Sequence, residues 1–290
     1  DGANFTKATG GQALTLDGTG NLTDNNTDSK EDLGNVVIGG TTTTRTLTTD
    51  VAVTSLTVNS GNTFDPSTHL VTGSGTLDVT GTIKVYAATF ALNYTGFATK
   101  TFEINSTVDY SLAGTQTVAS TATLGASYYN LTISGSGTKT LEGSTTVTGT
   151  FTDTVDDSVL TFNAGSTYAF TNIHIHGTSG HDVVMQSSAA SNWIFNVSQV
   201  APSVTYVTAS YSDASSGNEI DATSNCTNSG NNYNWMFSVP GTSSYWVGGT
   251  GNWTDAIWAD LSTGVAGSAT TPTAADAVVI GAGDTVTVVT

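Results

Sequence analysis

Tyr128-Tyr129-Asn130-Leu131-Thr132-Ile133-Ser134-Gly135-Ser136-Gly137-Thr138-Lys139-Thr140-Leu141-Glu142-Gly143-Ser144-Thr145-Thr146-Val147-Thr148-Gly149-Thr150-Phe151 is the stretch on which the fold turns. Apolar and polar residues alternate over short runs, as at Leu131-Thr132-Ile133, and each run is closed by Gly or a small polar residue. Alternation with period two places successive side chains on opposite faces of a strand. No helical period competes with it. The stretch reads as one coil of a long stack of strands.

Working outward, an apolar-x-apolar unit recurs at Leu56-x-Val58, Leu77-x-Val79, Phe102-x-Ile104, Leu131-x-Ile133 and Leu160-x-Phe162, at intervals of 21, 25, 29 and 29 residues. Three short strands and three turns fill such an interval, which is one coil of a parallel β-helix. The expected fold is therefore all-β, a parallel β-helix (β-solenoid) with a C-terminal β extension. Tandem β-sandwich modules are the alternative, because a sandwich also places turns every 8–12 residues. Outward positions are mostly Thr and Ser, and inward ones small or β-branched, which suits a narrow stacked interior.

Composition agrees. Ser and Thr make up about 30% of the 290 residues, with 32 Gly, 4 Pro and only 10% charged residues. Regularly placed apolar residues and few charges argue against disorder. The net charge of −17, with six Lys and Arg in all, repels phosphate backbones and excludes a nucleic-acid partner. One cysteine, Cys226, allows no intrachain disulfide and is read as a small, partly buried residue. No run reaches the roughly 20 apolar residues of a membrane span, and the polar start Asp1-Gly2-Ala3-Asn4 has no leader character. A mature or excised extracellular chain is expected.

The chain divides into a polar cap or edge segment at 1–34, a solenoid at 35–237, a linker at 238–244 and a further segment at 245–290. That last segment reads as the start of a second module or a subunit-joining strand segment. Ala277-Val278-Val279-Ile280-Gly281 echoes Asn35-Val36-Val37-Ile38-Gly39 at an offset of 242. Asn252-Trp253-Thr254 echoes Asn4-Phe5-Thr6 at an offset of 248. The strand Thr285, Val286, Thr287, Val288 is a candidate donor to a neighbouring molecule.

The YYNLTISGSGTKTL stretch, the block from Val204 to Phe237 and the YWVGGTGNWTDAIW opener resemble very large repetitive β-helix surface proteins of bacteria and archaea, akin to filamentous-haemagglutinin and autotransporter-passenger repeats. The resemblance covers most of 35–260. It implies an extracellular structural or adhesive role and carries over no catalytic residue.

Candidate chemistry is sparse. Asp24, Asn26, Asp28 and Asp32 place oxygens at alternate positions, as a calcium loop does, but Ser29 stands where Gly is expected and Asn35 where a bidentate Glu is expected. A solvated loop is the competing reading. His174 and His176 share one strand face and would suit Zn, Cu or Ni, with Asp182 to orient one of them. With Ile173 and Ile175 turned to the core, surface histidines are the plainer expectation. Asp153, Asp156 and Asp157 are the densest acidic cluster and would have to converge to act as a glycosidase pair. Asp213, Glu219 and Asp221, beside Asn218, form a second calcium candidate.

Nine Asn-x-Ser/Thr sequons begin at Asn4, Asn21, Asn25, Asn93, Asn105, Asn130, Asn196, Asn225 and Asn252. Trp246, Trp253 and Trp258 are read as packing a module junction, or else as a sugar platform. The expectation is a non-catalytic subunit of an extracellular filament, sheath or surface layer. It would assemble with copies of itself end to end and need no cofactor, calcium being the alternative. A glycan- or matrix-binding adhesin is the alternative, and a polysaccharide-active enzyme the third.

Overall fold

The computed structural model of the chain describes residues 12–27, 29–237, 244–255, 257–259, 266, 271–272 and 278–288. It is all-β with 3% helix, and its parallel strands stack into a β-solenoid of about nine turns. Compact packing divides the chain into Asp1–Trp235 and Met236–Thr290.

In the first unit one sheet runs nearly the full length. Its ten strands begin with Gly20–Leu22 and Thr44–Leu47 and end with Trp193–Val197 and Ser212–Asp213. A five-stranded sheet from Ala13–Leu16 to Thr99–Phe102 and a three-stranded sheet around Val71–Gly73 complete the early turns. A six-stranded sheet from Gln116–Val118 to Thr227–Asn228 completes the later ones. The segment expected as an N-terminal cap supplies the first rung, because Ala13–Leu16 pairs in parallel with Asn35–Ile38.

The stretch from Tyr128 to Phe151 is one coil. It forms Asn130–Ile133, Thr138–Leu141 and most of Thr145–Asp153, and Leu131 comes back into register with Phe151. Leu56 likewise pairs with Leu77. The longer intervals expected between later units do not hold, because those anchors lie on different faces. Leu131 belongs to the ten-stranded sheet and Leu160 to the six-stranded one. Phe102 ends its strand, and Ile104 is exposed.

Strand alternation builds the core. On the ten-stranded sheet Ile83, Val108, Leu131, Phe151 and Ile173 form an unbroken inward column through four successive pairings. All five are buried. The later turns are wider than small apolar residues alone would fill. Phe162 stacks on Trp193 at a centroid distance of 3.8 Å, and Tyr168, Phe170 and Phe195 pack around them. Aromatic side chains bury the most area per residue, so this end carries a large share of the hydrophobic stabilisation.

Inward polar residues collect at the corner that follows the ten-stranded sheet. Turns there leave carbonyl and N–H groups facing a dry interior, where each must find a partner. The Asn93 side chain accepts from the N–H groups of Tyr86 and Ala87 and donates to the carbonyls of Ser67 and His69. Gln116 Nε2 donates to the carbonyls of Val85 and Ala87. Lys139 Nζ donates to those of Leu112, Gly114 and Ser136, at 2.6, 2.9 and 2.9 Å. Asn93 and Lys139 therefore tie turns of their own rung to the one beneath, and Gln116 ties down the one beneath.

The second unit repeats the first rung pair. Ser244–Trp246 pairs in parallel with Val278–Ile280, and Thr250–Asn252 with Thr285–Thr287. Trp246 lies opposite Ile280 as Leu16 lies opposite Ile38. Gly251 and Asn252 lie opposite Val286 and Thr287 as Gly20 and Asn21 lie opposite Arg45 and Thr46. The turns match in sequence, Gly18-Thr19-Gly20-Asn21-Leu22-Thr23-Asp24 against Gly249-Thr250-Gly251-Asn252-Trp253-Thr254-Asp255. Gly18 and Gly249 both hold a left-handed φ, of 84° and 72°, which glycine adopts without steric cost. The echo of Asn252 is thus Asn21. The Asn4 match expected from sequence lies outside the described residues.

Candidate functional site

The acidic loop at 24–32 is occupied by its own polar groups. Asp24 is buried, and its carboxylate accepts from the N–H groups of Asn26 and Glu31. Lys30 Nζ donates to the carbonyls of Asp24 and Asn26. Asp32 accepts from Gly34 N–H and Thr54 Oγ1. Asp28 lies outside the described residues. The loop is built as a turn.

His174 and His176 stand outward from Thr167–Ile175, with ring centroids 4.8 Å apart, while Ile173 and Ile175 are buried. Asp182 does not orient either ring, since its carboxylate accepts from Thr208 Oγ1. Among the described residues no group of three or more His, Cys, Asp or Glu side chains converges as a metal site.

Asp153, Asp156 and Asp157 diverge. Asp153 points inward and is fully buried, accepting from Val155 N–H at 3.0 Å and Ser158 Oγ at 2.7 Å. Asp156 accepts from Thr178 Oγ1, and Asp157 pairs with His181 Nδ1 at 2.8 Å, both at the surface. Burial pushes the Asp153 carboxyl up to about 6, against the bonds from Ser158 and Val155 and the nearby Lys139 charge, which pull it down. Burial pushes Lys139 down to about 8, opposed by Asp153. Asp157 raises the pKa of His181. Asp153 lies inside the wall, and Asp156 and Asp157 outside it on the turn at 178–181.

Asp213 and Asp221 each close a local turn, onto Ser215 N–H and onto the Thr223 N–H and hydroxyl. Those bonds lower the Asp221 pKa. Asn218 donates to the carbonyls of Ser198 and Gln199. Cys226 is half-buried, and burial raises its thiol pKa.

Of the sequon asparagines, Asn21, Asn25, Asn105, Asn225 and Asn252 are exposed. Asn130 and Asn196 are partly covered, and Asn4 lies outside the described residues. Asn93 is fully buried with both ends of its amide bonded, so it is a structural residue and not an acceptor.

The tryptophans do not form a platform. Trp246 and Trp258 are buried in the second unit at 5.0 Å centroid separation, and Trp253 packs on Trp258 at 5.0 Å. Their indole N–H groups donate to the carbonyls of Gly249 and Trp253. They form the interior of that unit, and the assembly role expected of Trp246 and Trp258 gives way to packing. Ser244–Trp246 lies between Trp258–Ala259, paired antiparallel, and Val278–Ile280, paired in parallel. Ile280 is 44% exposed, whereas Ile38, its counterpart in the first unit, is fully covered by the next rung at Val58. Val279 and Val288 are exposed as well, while Val286 is partly covered and Thr285 exposed.

Sequence reasoning missed one feature of the first unit. At the fifth rung the five-stranded sheet ends and the six-stranded sheet begins, and two four-residue helical turns occupy the seam: α1, Phe90–Asn93, in the fourth rung, and α2, Thr121–Leu124, in the fifth. They enclose a pocket of about 230 Å³. Phe90, Tyr94 and Leu124 form its floor, and Lys100, Thr123 and Glu142 lie at its rim. The only visible signal was the lapse of strict alternation at Ala87-Ala88-Thr89-Phe90-Ala91-Leu92. Comparison with protein-family models, curated proteins and solved structures returns no match.

Proposed function

We propose that this chain is a non-catalytic structural repeat of an extracellular filament, sheath or surface layer, joined to copies of itself end to end through strand edges. The observation that carries the reading is that one rung design recurs along the chain, Ser244–Trp246 on Val278–Ile280 and Thr250–Asn252 on Thr285–Thr287 repeating Ala13–Leu16 on Asn35–Ile38 and Gly20–Leu22 on Thr44–Leu47. Rungs of this design stack on one another through parallel strand edges. An uncovered strand with apolar side chains is a template for another strand. A contact between unlike ends propagates instead of closing, which gives a filament. The acidic, Lys-poor composition and the resemblance to repetitive surface proteins support an extracellular setting.

Electron microscopy of the purified chain tests it. Ordered filaments or sheets are expected, and Ile280→Asp together with Val279→Asp is expected to abolish them while leaving the β-sheet circular dichroism unchanged. Dispersed particles for the parent chain, or unchanged assembly of the double variant, would sink the reading.

A further inference from the structure

We infer that the seam pocket of the first unit binds a single neutral sugar ring. Elsewhere the interior is filled rung on rung, and turn polar groups are tied down by Asn93, Gln116 and Lys139. At the seam the two helical turns replace strand backbone and leave a recess of about 230 Å³ that three successive rungs line. Its floor is apolar and nearly fully covered, from Phe90, Tyr94 and Leu124.

The rim offers complementary hydrogen-bonding groups. Glu142 Oε1 accepts from Ser120 N–H at 3.0 Å, which fixes the carboxylate and leaves Oε2 for a ligand hydroxyl. Lys100 Nζ makes one long bond, 3.4 Å to the Phe97 carbonyl, and has further protons to donate. Thr123 Oγ1 accepts from Ser120 Oγ at 3.0 Å and keeps its proton to donate, and Thr89, Thr95 and Thr117 add hydroxyls to the lining.

An apolar floor with a fixed acceptor, a donor and several hydroxyls at the rim matches the apolar C–H face and hydroxyl edge of a sugar. The opposite charges of Lys100 and Glu142 cancel, which favours a neutral ligand over an anion. The volume lies below the ~300–1,000 Å³ usual for drug-sized ligands, so one ring fits and an oligosaccharide enters only by one terminal residue. A ligand of about 12 non-hydrogen atoms binds with Kd on the order of 1 mM. The pocket lies within one unit, so this inference stands or falls separately from end-to-end assembly.

Saturation-transfer NMR on the full chain tests it, with a hexose, a pentose, an N-acetylhexosamine and, for contrast, alanine and serine. Saturation of at least one sugar is expected, with little for the amino acids. Thr123→Trp, which fills the mouth from an exposed position, is expected to weaken the response at least tenfold with an unchanged melting temperature. Lys100→Met is the second variant, should the tryptophan disturb folding, and is expected to weaken binding likewise. No sugar response at millimolar concentrations, preference for the amino acids, or sugar binding untouched by both variants would each overturn the inference.

Discussion

Asp153 and Lys139 are the two residues most at odds with their surroundings, and both act on stability. In the folded chain burial raises the Asp153 carboxyl from its ordinary 3.8 to about 6. Between these values the native state binds the extra proton, so stability falls as pH rises from about 4 to 6. A rise of that size corresponds to about 3 kcal/mol. Asp153→Asn keeps an acceptor for Val155 and a partner for Ser158. Denaturant melts at pH 4 to 7 are expected to show a fall in the parent chain that is shallower in the variant. Lys139→Met keeps the buried stem but strips three carbonyls of their donor. Its expected cost is roughly 3 kcal/mol at pH 7, read from the same melts. Inward placement of Lys139 is legible from its position between Thr138 and Thr140, two residues before Leu141. That its ammonium would find three turn carbonyls is not, because those belong partly to another rung.

Rungs are held in register by close contacts between non-neighbouring segments. A Cβ on Gly73 would fall 2.1 Å from the Phe97 ring, one rung further on. Gly73→Ala is therefore expected to displace that ring and cost about 1–3 kcal/mol, measured by chemical denaturation. Asn93 links the turn after Val85 to the turn before Val71, and Asn93→Ala is expected to cost roughly 3 kcal/mol through orphaned backbone groups. The same burial predicts that Asn93 stays unmodified in a host that glycosylates Asn105. Mass spectrometry of glycopeptides reads this directly. Strand existence was legible from alternation, as at Val51 to Val58. Which face each strand joined was less so, because corners of different length shift the spacing, and Leu131 and Leu160 land on different sheets.

At the scale of the molecule the two units share a design, a strand, a Gly-Thr-Gly-Asn turn and a second strand, each paired in parallel with the corresponding strand of the next coil. A solenoid gains stability rung by rung, because each coil buries its apolar column only against its neighbours. Assembly of copies through the edge of Val278–Ile280 should protect its backbone. Hydrogen exchange at Val279 and Ile280 is expected to slow as protein concentration rises under assembling conditions, with exchange at Ile133 and Ile175 unchanged.

Local chemistry alone determined that this chain is built mainly of short strands. Alternation over three or four residues and frequent turn residues favour strands over long helices, and they fit a stacked solenoid and tandem sandwiches alike. Tertiary structure decided the rest. The acids near 153 diverge because neighbouring residues of one turn point to opposite sides of the wall. Trp246 and Trp258 turn inward in the second unit and pack edge to face, which their spacing in sequence does not show. The seam pocket arises from two helical turns that meet only when successive rungs stack, a juxtaposition with no trace at any single position in the sequence.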